Sequence, residues 1–334
     1  MAEATTKAGK KRSWWPLFWG LVCLLICPYL PLLVSLFPIQ QTLLLLVPAV
    51  AACSIVGWRL GGRAALALIW IALSVWMLLQ PAGESGTQYD QMARGWAVLL
   101  AASFGLVSLW STATPFFSRA LASVGIATGI AFLIALAAPS GIAMFQHAAG
   151  EELTRRTSNM IEVIQTSLDD PQSRATLDKF PGVEEVDERA IDMMREIPQR
   201  AATLLPALLA LESLAVLALA WGVYWRLTPI LIGPPLSPLT EFRFNDQLVW
   251  GLAVGATLCL LPAFQEGKNA GYNLLLFFGT LYLIRGTGVL AWIARGRYLL
   301  LIVLGLIPQV YIIVTLALGL GDTWLDLRRR AKAG

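Results

Sequence analysis

The sequence predicts an all-α fold: a polytopic transmembrane helical bundle of about eight or nine spans with a small helical extramembrane insert. Of the 334 residues, 57% are hydrophobic and only 14% are charged, whereas soluble domains carry about 25% charged residues. Apolar runs recur along the chain, and their lengths are close to the roughly 18 residues that a membrane crossing needs. Tryptophans collect near the ends of these runs, where the headgroup region favours amphipathic rings.

Nine apolar segments are candidate spans. In chain order they are Trp14–Phe37, Thr42–Gly57, Ala64–Gln80, Gly95–Ser111, Ala120–Met144, Thr203–Trp225, Leu248–Phe264, Tyr272–Ala294 and Tyr298–Leu318. Pro28 and Pro31 in the first segment and Pro48 in the second predict kinked or broken helices, which membranes tolerate when neighbours satisfy the freed carbonyls.

Four segments organise the chain. We expect an N-terminal transmembrane bundle over 1–146, an acidic helical insert over 147–202, a C-terminal bundle over 203–320 and a basic tail over 321–334. The sequence of the insert predicts two amphipathic helices. Their apolar faces are formed by Leu153, Met160, Ile161, Ile164 and Leu168, and by Val183, Val186, Met193, Met194 and Ile197.

Basic residues in the short loops indicate the orientation, since they favour the cytoplasmic side. With the N-terminus in the cytoplasm, the outer short loops carry only Arg94 and Lys268, and the insert lies outside. Nine crossings would place the basic tail, Arg328–Lys332, outside as well. Either one segment does not cross, or the tail departs from the rule. The first alternative is favoured, with the second segment or the last hairpin as the candidate.

Two ionisable residues interrupt the apolar runs. Glu212 lies near the middle of the sixth segment, and Arg285 lies about two thirds along the eighth. A charge at the centre of a membrane helix costs about 3 kcal/mol, so such residues face the interior and pair. Glu212 is the first candidate partner of Arg285. A role of Arg285 in ligand binding or coupling, a contact with Gln309, and snorkelling to the interface are the alternatives.

The sequence lacks the spacings typical of zinc sites, phosphate-binding loops, nucleophile elbows and dinucleotide folds. We therefore expect no enzyme activity, no cofactor and no bound metal. The cysteines Cys23, Cys27, Cys53 and Cys259 all lie in apolar runs, where thiols act as small packing residues. No basic face with interleaved aromatics exists, which excludes nucleic acid as a partner.

Small residues at a spacing of four predict close helix contacts. Gly125 and Gly129 form such a pair in the fifth segment, and Gly251 and Gly255 form another in the seventh. Internal packing is the favoured interpretation, and an interface with a partner helix is the alternative.

The last third of the chain resembles the YybS-like family of uncharacterised bacterial multi-pass membrane proteins. The resemblance lies in "FRFNDQLVWGL" (Phe242–Leu252), "AGYNLLLFFGTLYLIRGTGVLAWIARGR" (Ala270–Arg297) and "LGLGDTWLDLRRR" (Leu318–Arg330). The matching motif positions are Arg243, Asn273, Tyr282, Gly286, Gly319 and Asp322. The family usually carries Gln where this chain has Arg285. The resemblance implies the bacterial inner membrane and, through a distant similarity to the S components of energy-coupling-factor transporters, a small-molecule carrier.

Two of these motif positions also have simpler interpretations. Asn273, near the start of a span, is typical of an interfacial or capping residue. Asp322 in "GDTWLD" is a good N-cap for a short helix.

The leading functional hypothesis is a small-molecule-binding transporter subunit of S-component-like type, with Arg285, Glu212, Asn273 and Gln309 as its intramembrane polar residues. The alternative is a membrane scaffold or assembly subunit that docks partners through the insert. The expected surroundings are the lipid bilayer and other membrane-complex subunits, and the ligand is unknown.

Overall fold

The computed structural model of the protein describes residues 14–31, 33–80, 87–138, 141–169, 183–228, 232–294 and 307–326. Within these ranges the chain forms α-helices and short 3₁₀ turns and no strand, which confirms the all-α class. The helices are α1 (Trp15–Ile26), α2 (Leu43–Arg59), α3 (Ala64–Leu79), α4 (Gln88–Trp110), α5 (Phe116–Ala137), α6 (Gly141–Asp169), α7 (Val183–Thr203), α8 (Leu205–Leu227), α9 (Val249–Leu260), α10 (Lys268–Ala294) and α11 (Pro308–Leu325).

Four of the described helices are long and apolar enough to cross a membrane, namely α4, α5, α8 and the stretch Pro262–Ala294 that includes α10. Four shorter apolar helical stretches contain α1, α2, α3 and α9. Hydropathy therefore located the helices, although several bounds differ. The fifth segment ends at Ala137 rather than Met144, because α6 begins at Gly141. Residues 298–306 of the ninth segment lie outside the described part, and α11 continues beyond Leu318 to Leu325.

The first predicted span is broken, as its prolines indicated. Helix α1 ends at Ile26, and a 3₁₀ turn, Cys27–Tyr29, follows. Among the described residues that follow, none belongs to a helix before α2 begins at Leu43. We call residues 33–42 the unwound segment. Pro38 within it has no N–H to donate, which prevents regular helix bonding there. Helix α2, in contrast, continues through Pro48 without a break.

The contacts divide the chain into two compact units. Unit 1 comprises Met1–Pro198 and Glu212–Pro235, and unit 2 comprises Gln199–Leu211 and Leu236–Gly334. The boundaries fall inside α7, inside α8 and after Pro235, so neither unit is one continuous piece of chain.

In unit 1, α2 packs against α3 and α4, α4 packs against α5, and α6 contacts both α4 and α5. An aromatic cluster of Phe104, Phe116 and Trp221 lies in its core. Helix α6 is the first helix of the predicted insert, and two residues of its apolar face, Leu153 and Ile161, are buried. The two helices predicted for the insert are present as α6 and α7.

In unit 2, α10 packs between α9 and α11. Gly251 and Gly255 lie in the contact with α10, since a Cβ on Gly251 would meet Phe278 and a Cβ on Gly255 would meet Leu274. Gly125 and Gly129 of α5 differ from the expectation of internal packing. A Cβ at either one meets no atom of the described chain within 4 Å, because both face away from the packed side of α5.

Candidate functional site

Arg285 is 2% exposed and is held by two carboxylates of unit 2. Its Nε donates to Asp322 Oδ2 at 3.0 Å, its Nη2 to the Asp322 carbonyl at 3.2 Å, and its Nη1 to Asp246 Oδ1 at 2.7 Å. The Phe244 ring covers the guanidinium at 5.2 Å. Each of the three side-chain nitrogens of Arg285 therefore has a hydrogen-bond acceptor.

This arrangement corrects two expectations. Arg285 pairs with Asp322 and Asp246 rather than with Glu212: both aspartates belong to unit 2, as Arg285 does, whereas Glu212 belongs to unit 1. Asp322 is not an N-cap, since α11 continues through it to Leu325 and carries its side chain into the buried ion pair.

The other motif positions of unit 2 support this cluster. Tyr282 is fully buried, with its ring edge against Phe244 at 5.1 Å between centroids. A Cβ on Gly286 would overlap the Thr315 carbonyl oxygen of α11, and one on Gly319 would overlap the Tyr282 carbonyl oxygen. Arg243 forms an ion pair with Asp326, the residue that ends α11 in a left-handed conformation.

Asn273 joins the start of α10 to the junction of α7 and α8. Its Oδ1 accepts from the Ala207 N–H at 2.9 Å, and its Nδ2 donates to the carbonyls of Thr203 and Asn269, both at 2.8 Å. All of its hydrogen-bonding groups are used, which fits the capping interpretation. Gln309 lies exposed in the first turn of α11.

Glu212 is 6% exposed and belongs to unit 1. Its Oε2 accepts from the Ile39 N–H of the unwound segment at 3.0 Å. Its Oε1 is enclosed and has no hydrogen-bond partner in the described part of the chain. Next to it in sequence, Ser213 accepts from the Trp96 indole at 3.0 Å, which fixes this turn of α8 against α4.

Side chains from two further helices hold the unwound segment. Tyr89 of α4 donates its hydroxyl to the Pro38 carbonyl at 2.8 Å. Arg156 of α6 donates Nη1 to the carbonyls of Phe37 and Pro38, at 3.3 and 3.2 Å. Buried backbone carbonyls outside regular secondary structure need hydrogen-bond partners, and these contacts supply them for Phe37 and Pro38.

The unwound segment forms one wall of a polar cavity in unit 1. The cavity has a volume of about 270 Å³. Its lining residues are Ile39, Gln40, Gln41, Leu44, Thr87, Tyr89, Asp90, Ala93, Glu152, Arg155 and Arg156. The same unit has an apolar cleft of about 480 Å³ between α2, α3 and α4 whose one polar lining side chain is Ser74.

Ion pairs order the polar cavity. Glu152 accepts from Arg155 Nη2 at 2.6 Å and from Arg156 Nε at 2.8 Å, and Asp90 accepts from Arg94 Nε at 2.9 Å. Burial of the Glu152 carboxyl favours its neutral form, but the hydrogen bonds from Arg155 and Arg156 outweigh burial and hold its pKa below the ordinary value. Glu152 is therefore ionised at neutral pH.

The charged side chains that line the cavity are two guanidinium groups, of Arg155 and Arg156, and two carboxylates, of Asp90 and Glu152. Asp90 pairs with Arg94, which lies outside the lining, so that Arg155 and Arg156 share the single carboxylate of Glu152. The Arg155 side chain is 42% exposed and uses Nη2 for Glu152, so its other donors can reach a ligand. The cavity is thus suited to a small molecule with one negative charge.

Sequence reasoning missed this cavity. Its ion pairs have the i, i+3 and i, i+4 spacings that are typical of a solvated helix face, so they carried no sign of a site. The usable signal was the broken first span, because an unwound segment needs polar partners from elsewhere. Across the described ranges, no three His, Cys, Asp or Glu side chains gather closely enough to hold a metal ion.

Almost the whole chain matches a known protein family. Residues 23–323 match the model of the family DUF2232, described as "Predicted membrane protein (DUF2232)". The matched range includes both units, the polar cavity and the Arg285 cluster. No curated protein matches the chain, and no solved structure matches it. The family match agrees with the expected membership of an uncharacterised membrane family, and the chain belongs to the DUF2232 family of predicted membrane proteins.

Proposed function

We propose that this membrane protein binds a small organic anion in the polar cavity of unit 1 and serves as the solute-binding subunit of a transporter. The observation that carries the proposal is the cavity of about 270 Å³ in which two guanidinium groups share the Glu152 carboxylate and one of them, Arg155, is half-exposed. Binding pockets for larger ligands start at about 300 Å³, so a small metabolite with one carboxylate is the fitting class.

The proposal includes the orientation and the compartment. With the N-terminus in the cytoplasm of a bacterium, the first turns of α2 and α4 lie at the outer face of the inner membrane. Leu44 and Tyr89 in those turns line the cavity. The cavity would then collect its solute from outside, as a substrate-binding component of the S-component-like type must.

Binding is favoured over catalysis. Both carboxylates around the cavity are paired with guanidinium groups, and a paired carboxylate is a poor general base. The scaffold alternative has less support. A docking insert needs an exposed apolar face, whereas Leu153 and Ile161 of α6 are buried within unit 1.

The test is a thermal unfolding assay of the purified protein in nanodiscs, read through the fluorescence of its 13 tryptophans. The probes are small monocarboxylates, with the corresponding amides and amines as controls. A ligand at about 100 times its Kd adds about 2.7 kcal/mol to the stability, which raises Tm by several degrees.

We expect at least one carboxylate, and none of its amide or amine counterparts, to raise Tm. Arg155→Gln should abolish that shift. Arg63→Gln, which removes an exposed arginine outside the cavity lining, should keep it. A carboxylate shift that survives in Arg155→Gln, or a panel in which no carboxylate stabilises the wild-type protein, would overturn the proposal.

A further inference from the structure

Glu212 stands apart from the other carboxylates described in unit 1. Asp90 and Glu152 each have guanidinium partners, whereas the Glu212 carboxyl is buried with one backbone N–H as its donor and one bare oxygen. An ionised carboxylate in such surroundings loses several kcal/mol of hydration without compensation. A neutral carboxylic acid loses far less, because it carries no net charge.

The groups that face Glu212 favour the neutral, protonated form of its carboxyl group. The unwound segment and the first turns of α2 carry no ionisable side chain. Helix α4 contributes the Tyr89 hydroxyl, which is committed to Pro38. Helix α6 contributes Arg156, whose donors go to Glu152 and to the unwound segment.

We propose that Glu212 is a proton-binding site, and that proton exchange there moves the wall of the polar cavity. The contact that links the two is the Ile39 N–H, since Ile39 both lines the cavity and donates to Glu212. When Glu212 releases its proton to water, the new negative charge strengthens the bond to Ile39 and attracts Arg156.

Movement of Arg156 toward Glu212 would weaken the contacts that Arg156 makes elsewhere. It is the side chain that holds the Phe37 and Pro38 carbonyls and pairs with Glu152 at the cavity surface. Deprotonation of Glu212 therefore competes with the contacts that fix the wall. In a transporter this arrangement couples the solute to a proton; that consequence rests on the proposed function, whereas the proton site and the wall movement do not.

The first measurement asks whether Glu212 holds the proton. Infrared difference spectra of the full-length protein in nanodiscs, recorded across a pH titration, report the carbonyl band of protonated carboxylic acids. We expect such a band at neutral pH that is lost at alkaline pH. Glu212→Gln should remove it, and Glu151→Gln, which changes an exposed glutamate of α6, should leave it in place. A band unaffected by Glu212→Gln, or no such band at neutral pH, would overturn the proton site.

The second measurement asks whether the proton moves the wall. A Gln41→Cys variant without the native cysteines places a thiol on the cavity lining, and a maleimide measures its accessibility as a function of pH. Labelling at Ser158→Cys, an exposed position of α6, corrects for the ordinary pH dependence of a thiol. We expect a residual pH dependence that disappears in Glu212→Gln. Its persistence in that variant would refute the coupling.

Neither measurement uses a solute, so the two proposals fail separately. Absence of carboxylate binding with the Glu212 signals intact removes the solute and keeps the proton site. Carboxylate binding with no Glu212 signal does the reverse.

Discussion

At the scale of single residues, the two carboxylates on Arg285 are not equivalent. The Asp322 side chain is fully buried, whereas the Asp246 side chain is 59% exposed. Removal of one partner from a buried ion pair leaves the other charge uncompensated. A partly hydrated pair contributes little, because water replaces the lost partner.

We therefore predict that Asp322→Asn lowers the free energy of unfolding by about 3–5 kcal/mol, and that Asp246→Asn lowers it by about 1 kcal/mol or less. Denaturant unfolding in detergent micelles measures both. A double-mutant cycle of Asp322→Asn with Arg285→Gln gives the coupling energy. Equal losses in the two aspartate variants, or no coupling in the cycle, would contradict the described geometry.

At the scale of helices, the contact of α10 with α11 depends on glycine. The positions next to Gly286 and Gly319 are occupied by backbone atoms, the carbonyl oxygens of Thr315 and Tyr282. Backbone atoms cannot rotate away as a flexible side chain does. An added methyl group must push the two helices apart, and the Arg285–Asp322 pair joins the same two helices.

We predict that Gly286→Ala destabilises the protein by about 1–3 kcal/mol through overpacking. Gly125→Ala is the matched control in a membrane helix, since its Cβ meets no described atom within 4 Å. Thermal unfolding in detergent should show a lower Tm for Gly286→Ala and an unchanged or slightly higher Tm for Gly125→Ala. Equal effects would mean that α10 and α11 do not approach as closely as described.

The sequence predicted helices better than it predicted contacts. Hydropathy located the apolar helices, and the prolines of the first segment predicted a kink or break within it, because both signals are local. The hydrogen bond of Ile39 to Glu212 joins residues that are 173 positions apart, and no local pattern records such a pair. The ninth apolar segment was predicted to end at Leu318 and Asp322 in "GDTWLD" was interpreted as the N-cap of a further short helix, whereas α11 continues through Asp322 to Leu325.

At the scale of the whole molecule, the charge distribution makes a prediction about sidedness. The proposed orientation puts α6 outside and the stretch between α8 and α9 in the cytoplasm. Exposed serines are available for labelling in both places, Ser158 in α6 and Ser237 before α9. They allow a matched pair of single-cysteine variants on opposite faces of the membrane.

We predict that, without the native cysteines, Ser158→Cys reacts with a membrane-impermeant maleimide in intact cells. Ser237→Cys should react only after permeabilisation. The physical reason is the retention of short basic loops in the cytoplasm, with Arg226 and Arg243 flanking Ser237. The reverse pattern would invert the orientation and place the polar cavity on the cytoplasmic side.

The broken first span also has a consequence for biosynthesis. The partners of the unwound segment leave the ribosome in order: Tyr89 comes 51 residues after Pro38, Arg156 comes 118 residues after it, and Glu212 comes 173 residues after Ile39. At about 5–20 residues per second, the last contact forms about 9–35 s after Ile39 is made. A nascent chain that stops short of α8 leaves the Ile39 N–H without the Glu212 oxygen to which it donates in the folded protein. The unwound segment can therefore have all three of these side-chain partners only after Glu212 has been synthesised.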